Sequence, residues 1–147
     1  MVRPAIPVLA ALVAVACGNS LLQPGENAVY VLESANGRDL PATLVVSQFG
    51  TISLLADTVI FRHDRFERVR WLRTEEQGGL GVAIRREESK GRVVAADGVS
   101  TLVDDVCFDP ESLALCVAPD TAWFAAGTMT LQGPAPPAGR KDFREAG

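Results

Sequence analysis

An alternation of apolar and polar residues with a period of two constrains the fold of this 147-residue chain more than any other feature. Successive side chains of a strand lie on opposite faces, so this period is typical of strands with one buried face. Turn signals such as Ala35-Asn36-Gly37 and Ala96-Asp97-Gly98 separate the alternating stretches about every eight to twelve residues. The pattern predicts an all-β fold, a small antiparallel β-barrel or sandwich of about eight strands.

The strand pattern also sets the predicted domain boundaries. Residues 28–132 are predicted to form the β-barrel domain, and within it Lys90-Gly91 is predicted to be a tight turn between two strands. Residues 133–147 form a Pro/Gly-rich tail. A last strand through Phe143 is an alternative to an irregular tail.

Residues 59–73 are compatible with a strand or with a helix. The strand interpretation is favoured, either as one long strand or as a hairpin broken near His63-Asp64. The helical alternative comes from apolar residues at three-residue steps, such as Phe66 and Val69. In one continuous strand, one face carries Arg62, Arg68 and Arg70, which we expect on a solvated barrel exterior or at a site for an anionic partner. Across the whole predicted barrel, the apolar residues expected to point inward either fill the core or line a cavity: Tyr30, Phe61, Trp71, Trp123 and Phe124.

A short apolar segment opens the chain and ends at a cysteine. From Ala5 to Ala16 a helix would rise only about 18 Å, whereas the hydrocarbon core of a bilayer is roughly 30 Å thick. With Arg3 before it and small residues at its end, residues 1–16 are predicted to be a cleaved signal peptide. The sequence Ala14-Val15-Ala16-Cys17-Gly18 resembles the lipobox of bacterial lipoproteins.

The lipobox resemblance implies cleavage between Ala16 and Cys17 and acylation of Cys17. Residues 17–27 would then be a lipidated tether, and two or more acyl chains give stable anchoring. The implied location is the cell envelope, and Gly18 after the cysteine implies an outer membrane facing the periplasm. The alternatives are a secreted protein with an unmodified Cys17 and an uncleaved segment.

The first predicted strand carries a second resemblance. Its residues Tyr30-x-Leu32-x-Ser34-x-Asn36-Gly37-x-x-Leu40-Pro41-Ala42 are similar to the opening of bacterial envelope lipoproteins with a lipocalin-like or META-like β-barrel. The resemblance implies a fold and not an activity, because one barrel fold serves many functions.

Two further cysteines, Cys107 and Cys116, flank a turn-like stretch, "FDPES", which lies between two apolar stretches. In an oxidising envelope we expect them to form a disulfide. Two buried free thiols are the alternative. A metal site is not predicted, because zinc sites combine several Cys or His ligands and this chain contains one histidine.

Charge and motif content exclude several functions. The chain has 18 acidic and 14 basic residues, so nucleic-acid binding is not predicted. His63 lacks a G-x-S-x-G partner motif, so neither catalytic residues nor a cofactor are predicted. An acidic stretch is interpreted as a solvated loop, with a calcium site as the alternative: Asp104, Asp105, Asp109 and Glu111.

The leading functional hypothesis is a non-catalytic envelope lipoprotein that binds a small apolar ligand or another envelope protein. The alternative is an inhibitor or chaperone-like partner of an envelope enzyme, and a hydrolase is the least favoured. An open apolar interior would favour a ligand, whereas a filled interior would favour a protein-binding surface.

Overall fold

A computed structural model describes residues 24, 27–79, 81–105, 108–109, 114–115, 119–133 and 139–147. All regular elements in this part of the chain are strands, and it contains no helix long and apolar enough to cross a membrane. The strands are β1 Val29–Ala35, β2 Arg38–Asp39, β3 Ala42–Ser47, β4 Gly50–Arg62, β5 Arg65–Glu76, β6 Val82–Ala96, β7 Val99–Asp104, β8 Phe108–Asp109, β9 Ala114–Leu115, β10 Asp120–Ala125, β11 Thr128–Gly133 and β12 Gly139–Glu145.

Eight antiparallel strands form a closed barrel, in the order β1-β12-β11-β10-β7-β6-β5-β4. The barrel closes where β1 pairs with β4, with Val29 opposite Ile60 and Val31 opposite Thr58. Strand β2 pairs with β1 and β3 pairs with β4 outside this ring, and β8 and β9 form a separate two-stranded sheet. The predicted all-β barrel is confirmed.

Two predicted turns are confirmed and connect neighbouring strands tightly. Asn36 and Gly37 both have positive φ, 54° and 70°, and so do Asp97 and Gly98, at 50° and 81°. Asn-Gly and Asp-Gly are the favoured pairs for hairpin turns that need a positive φ at both central residues.

The predicted turn at Lys90-Gly91 is wrong, because β6 runs through both residues from Val82 to Ala96. Gly91 instead allows a close approach inside the barrel. A Cβ at this position would lie 2.6 Å from the Phe66 ring and 2.1 Å from the Val103 carbonyl oxygen. Glycine within a strand is typical of such a contact.

Residues 59–73 form a hairpin, not a helix, and its turn is at His63-Asp64. Arg62 pairs with Arg65 across the turn, so the inward parity changes from odd residues in β4 to even residues in β5. Arg68 therefore points into the barrel and is only 5% exposed, which corrects its predicted position on a solvated face shared with Arg62.

Apolar side chains fill much of the barrel interior. Phe61, Leu54, Val59, Met129 and Leu131 are fully buried. The rings of Tyr30, Phe61 and Phe124 pack against one another with centroids 5.5–5.7 Å apart.

Two of the five aromatic residues predicted to point inward do not. Trp71 is 42% exposed and Trp123 is 43% exposed. Trp71 follows the parity change at the hairpin turn, so it shares the outer face with Val69. On β10, Ala122 occupies the inward position next to Trp123.

The tail beyond residue 132 contributes a barrel strand. Strand β12 lies between β1 and β11, with Phe143 opposite Leu32 on one side and opposite Met129 on the other. Phe143 is 1% exposed. The barrel therefore extends to Glu145, and its first and last strands are neighbours.

The barrel has two distinct ends. One end is that at which β1 begins, and we call it the tether end because the predicted tether precedes β1 in the sequence. It also carries the turns at 63–64, 97–98 and 126–127 and the last residues of β12. At the opposite, distal end, β6 continues through residues 82–90 beyond its last pair with β7, Gly91 opposite Asp104. These residues extend about 30 Å at roughly 3.3 Å per residue.

Candidate functional site

A layer of charged residues crosses the barrel interior, with buried apolar residues on both sides of it: along β4, Leu54 lies on one side of Asp57, and Val59 and Phe61 lie on the other. Asp57 on β4, Arg68 on β5, Asp120 on β10 and Lys141 on β12 all occupy inward strand positions. Asp57 is 0% exposed and Lys141 is 8% exposed. Charged residues are rarely buried to this extent unless they are paired, so this layer is the main polar feature of the interior.

Arg68 is the centre of the charged layer. Its Nε donates to both carboxylate oxygens of Asp57, at 2.9 and 3.1 Å, and one terminal nitrogen also donates to Asp57. The other terminal nitrogen donates to Asp120 Oδ2 at 2.5 Å. The guanidinium thus links Asp57 on β4 to Asp120 on β10, two strands that are not adjacent in the sheet.

The surroundings raise the pKa of one base of the layer, Arg68, and lower the pKa of the other, Lys141. Burial disfavours the charged form of Arg68, but Asp57 and Asp120 outweigh it, so the pKa of Arg68 lies above its ordinary value. Burial lowers the pKa of Lys141, and the neighbouring charge of Arg68 lowers it further, against the opposing effect of Asp120 and Asp57.

A cavity of about 90 Å³ lies against the charged layer and is lined in part by Arg68 and Asp120. Asp104 lines it, and burial raises the pKa of this carboxyl above its ordinary value of 3.8. Asp120 adds to the rise, whereas Arg68, Arg70 and a hydrogen bond from Ser89 oppose it. The cavity could hold a few water molecules, but sites for drug-sized ligands measure about 300–1,000 Å³.

The arrangement is chemically self-contained within the described ranges. Every buried side-chain nitrogen and oxygen there has a hydrogen-bond partner. The same residues contain no group of three or more His, Cys, Asp or Glu side chains placed to hold a metal ion. The layer therefore fits a role in joining strands inside the barrel better than a role in binding a ligand.

The N-terminal cleavage site and the disulfide residues lie outside the described residues. These are Ala16, Cys17, Cys107 and Cys116. Their predicted modification stays a prediction.

The acidic stretch after β7 is divided between two sides of the sheet. Asp104 faces the interior cavity, whereas Asp105 forms an ion pair with Arg65 on the exterior. Asp109 is in β8, and Glu111 lies outside the described residues. The structure therefore does not bring Asp104 and Asp105 together as a calcium site would require.

His63, the single histidine of the sequence, lies in the exposed β4–β5 turn with φ of 58°. It is remote from the charged layer, which lies farther along the barrel. A turn position explains this residue without a catalytic role.

The sequence did contain a signal for the buried charges. Asp57 has the same parity as Val59 and Phe61, and Arg68 has the same parity as Phe66 and Leu72. A polar residue in register with apolar ones on an alternating strand indicates a buried charge. Lys141 carries the same signal only if the tail is interpreted as a strand, because it has the same parity as Phe143.

A second feature is the sheet that extends past the closed barrel, residues 43–53 and 73–88, which we call the distal ribbon. The four most exposed large apolar residues of the described chain all lie on it. They are Phe49 at 77%, Val46 at 76%, Ile84 at 62% and Val82 at 58%. The concentration of exposed apolar residues on one sheet extension makes the distal ribbon a candidate interaction surface.

Three of these residues share the outer face of the ribbon. Val46 on β3 lies opposite Thr51 on β4, and Val82 on β6 lies opposite Glu75 on β5. Because Thr51 and Glu75 also lie opposite each other, Val46 and Val82 belong to one row of residues that crosses four strands. Ile84 follows Val82 on the same face. Phe49 lies in the turn between β3 and β4, at the tip of the ribbon.

Comparisons with known proteins gave no match, whether with family models, curated proteins or solved structures. Three properties of the chain itself remain as the basis for a functional proposal. They are the filled barrel, the charged layer and the exposed distal ribbon.

Proposed function

We propose that this chain is a non-catalytic lipoprotein of the bacterial envelope that presents its distal ribbon to another envelope protein. Acyl chains at Cys17 would hold the barrel at an outer membrane, with residues 17–27 as the tether. The observation that carries the proposal is the placement of the four most exposed apolar residues on one sheet extension.

The filled interior favours a protein partner over a small apolar ligand. Fully buried side chains such as Phe61, Phe143 and Leu54 occupy the space that a lipocalin-like ligand would need. The cavity of about 90 Å³ is lined by charged groups, including Arg68 and Asp104. An apolar ligand would gain little from such a lining.

The positions of the two barrel ends support the same proposal. Strand β1 follows the proposed tether, so an anchor at Cys17 would hold the tether end near the membrane. The distal ribbon extends from the opposite end. The ribbon would therefore point away from the membrane surface, where it is accessible to a second protein.

Photo-cross-linking in the native envelope tests this proposal. A photoreactive residue replaces Phe49 or Ile84 on the ribbon and, as matched controls of partial exposure, Trp123 or Val31 on the barrel wall. We expect one discrete cross-linked protein from the ribbon positions and none from the controls. Equal cross-linking from all four positions, or none from the ribbon, would overturn the proposal.

The identity of the cross-linked protein also distinguishes the alternative function. An inhibitor or chaperone-like partner would use the same exposed apolar surface. If the captured protein is an enzyme, its activity in the presence and absence of this chain shows which role applies. A change in activity that disappears with Phe49→Ser would indicate inhibition.

A further inference from the structure

Three arginines lie side by side on the outer face of the barrel at its tether end. Arg62 on β4 is opposite Arg65 on β5, and Arg65 is opposite Arg92 on β6. We call these three residues the arginine ladder. Like charges directly opposite each other on neighbouring strands destabilise a sheet, so the stability of the barrel does not explain this arrangement.

Nearby acids neutralise only part of the ladder. Asp105 forms an ion pair with Arg65. Glu67 Oε1 lies 3.4 Å from the Nζ atom of Lys90, a further base on the same face. Arg62 and Arg92 form no ion pair with any residue in the described ranges. Asp64 lies in the adjacent turn.

A shallow groove beside the ladder gives the surface a concave shape. It measures about 210 Å³ and is lined by Ile60, Arg62, Arg65, Phe66, Glu67 and Lys90. Three of its six lining residues are basic. A groove of this kind suits a phosphate group, since arginine can donate two parallel hydrogen bonds to phosphate oxygens.

The ladder lies next to the point where the chain enters the barrel. The Phe61 N–H donates a 2.8 Å hydrogen bond to the Ala28 carbonyl oxygen, and Val29 is opposite Ile60. Arg62 is therefore beside the residues that connect β1 to the proposed tether. The chain from Cys17 to Asn27 spans at most about 35 Å when fully extended.

We propose that the arginine ladder docks onto anionic phospholipid headgroups of the membrane that holds the anchor. This inference depends on the lipid anchor of the proposed function for its location, but its chemistry is that of the ladder alone. Basic residues near an anionic membrane surface each contribute about 1 kcal/mol to binding, and this attraction fades within a Debye length. The ladder would orient the barrel with its distal ribbon away from the bilayer.

Vesicle sedimentation of residues 17–147 with Cys17→Ser tests the docking without an acyl anchor and without the apolar residues 1–16. One set of vesicles contains phosphatidylcholine alone, and the other also contains phosphatidylglycerol. We expect binding to the anionic vesicles only, and we expect added salt to weaken it. The double variant Arg62→Gln/Arg92→Gln should bind roughly 30-fold more weakly, which is the loss of two such basic contacts.

The matched control is Arg85→Gln/Arg86→Gln. It removes the same charge from exposed positions of β6 on the distal ribbon, far from the ladder. The control should keep the vesicle binding of the Cys17→Ser chain. An equal loss in both double variants would overturn the proposal, because binding would then follow net charge and not the ladder.

Separate measurements keep the two proposals distinguishable. The mass of the protein purified from its own envelope reports whether Cys17 is acylated. Acylation without vesicle binding by the Cys17→Ser chain overturns the ladder proposal alone. Vesicle binding without acylation overturns the anchor and leaves the ladder as a membrane-docking surface.

Discussion

Arg68 holds two carboxylates inside the barrel, and its side chain is 6% exposed. Asp57, at 0% exposure, forms an ion pair with this guanidinium. A buried pair of this kind contributes little net stability, but removal of one partner is expensive because the other charge stays buried. We therefore expect replacement of Arg68 to lower the free energy of unfolding strongly.

Arg68→Met should lower the free energy of unfolding by about 3–5 kcal/mol, because it leaves Asp57 buried and unpaired. The double variant Asp57→Leu/Arg68→Met should recover most of this loss, since both charges are removed together. Urea unfolding at neutral pH measures both effects. A loss below about 1 kcal/mol for the single variant would contradict the pairing.

Asp104 should make the stability of the barrel depend on pH. Its folded-state pKa is raised, above all by burial, so the folded protein binds this proton more tightly than the unfolded chain does. The contribution to stability is complete below the ordinary pKa of 3.8 and is lost as the pH rises through the raised value.

Asp104→Asn removes this titration and keeps a polar group next to Ser89. Relative to the variant, the wild type should lose stability as the pH rises from about 4 through the raised pKa, with no further change above it. Urea unfolding at a series of pH values measures the difference. A difference that is constant with pH, or that has the opposite sign, would be inconsistent with the environment of Asp104.

At the scale of elements, the β4–β5 hairpin shows which parts of the structure the sequence could reveal. The alternation identified both strands, and His63-Asp64 was one of the places considered for a break. The alternation alone did not show that inward positions change from odd-numbered to even-numbered residues across the two-residue turn. Trp71 and Arg68 were therefore assigned to the wrong faces, because a shift by one residue exchanges the two faces of a strand.

Phe143→Ala should show that β12 is part of the core and not a loose tail. Its ring is 1% exposed and packs between β1 and β11, so its removal should cost about 3–5 kcal/mol. The neighbouring Arg144→Ala is the control, because that side chain is 71% exposed and should change stability by less than about 1 kcal/mol. Equal small effects would contradict the strand assignment.

The register of β8 and β9 bears on the predicted disulfide. Phe108 is opposite Leu115 and Asp109 is opposite Ala114. In the sequence, Cys107 directly precedes β8 and Cys116 directly follows β9. Facing Cα atoms in antiparallel strands lie about 4.5–5.5 Å apart, which is within the range of a disulfide.

We therefore expect Cys107 and Cys116 to resist alkylation until the protein is reduced. Reduction, or the variant Cys107→Ser/Cys116→Ser, should lower the free energy of unfolding by about 2–3 kcal/mol. Intact mass after alkylation measures the first effect and urea unfolding the second. Alkylation of both residues in the unreduced protein would show free thiols.

For the whole molecule, the sequence predicted the class of fold but not how the barrel closes. Period-two alternation and the Asn-Gly and Asp-Gly turns are local signals, so they survive in a single sequence. Closure depends on β1 pairing with β12, more than 100 residues away, and no local pattern specifies such a pairing. The distal ribbon was missed for the same reason, since its exposure follows from where β7 stops pairing with β6.

Cys17→Ser, in protein whose intact mass shows that residues 1–16 have been removed, should release the chain from the membrane fraction if the anchor is acyl chains at this residue. Fractionation of the envelope should then find the variant in the soluble fraction, because two or more acyl chains give stable anchoring and the arginine ladder alone gives weak, salt-sensitive binding. High salt during fractionation separates the two contributions. Retention of the variant at high salt would contradict an anchor at Cys17.

The neighbouring position of β1 and β12 has a consequence for synthesis. Tyr30 finds its partner Glu145 only after residue 145 has left the ribosome. Until then the nascent chain can form hairpins but cannot close its ring. We expect a chain stalled before residue 139 to remain sensitive to protease and competent for passage through a secretion pore.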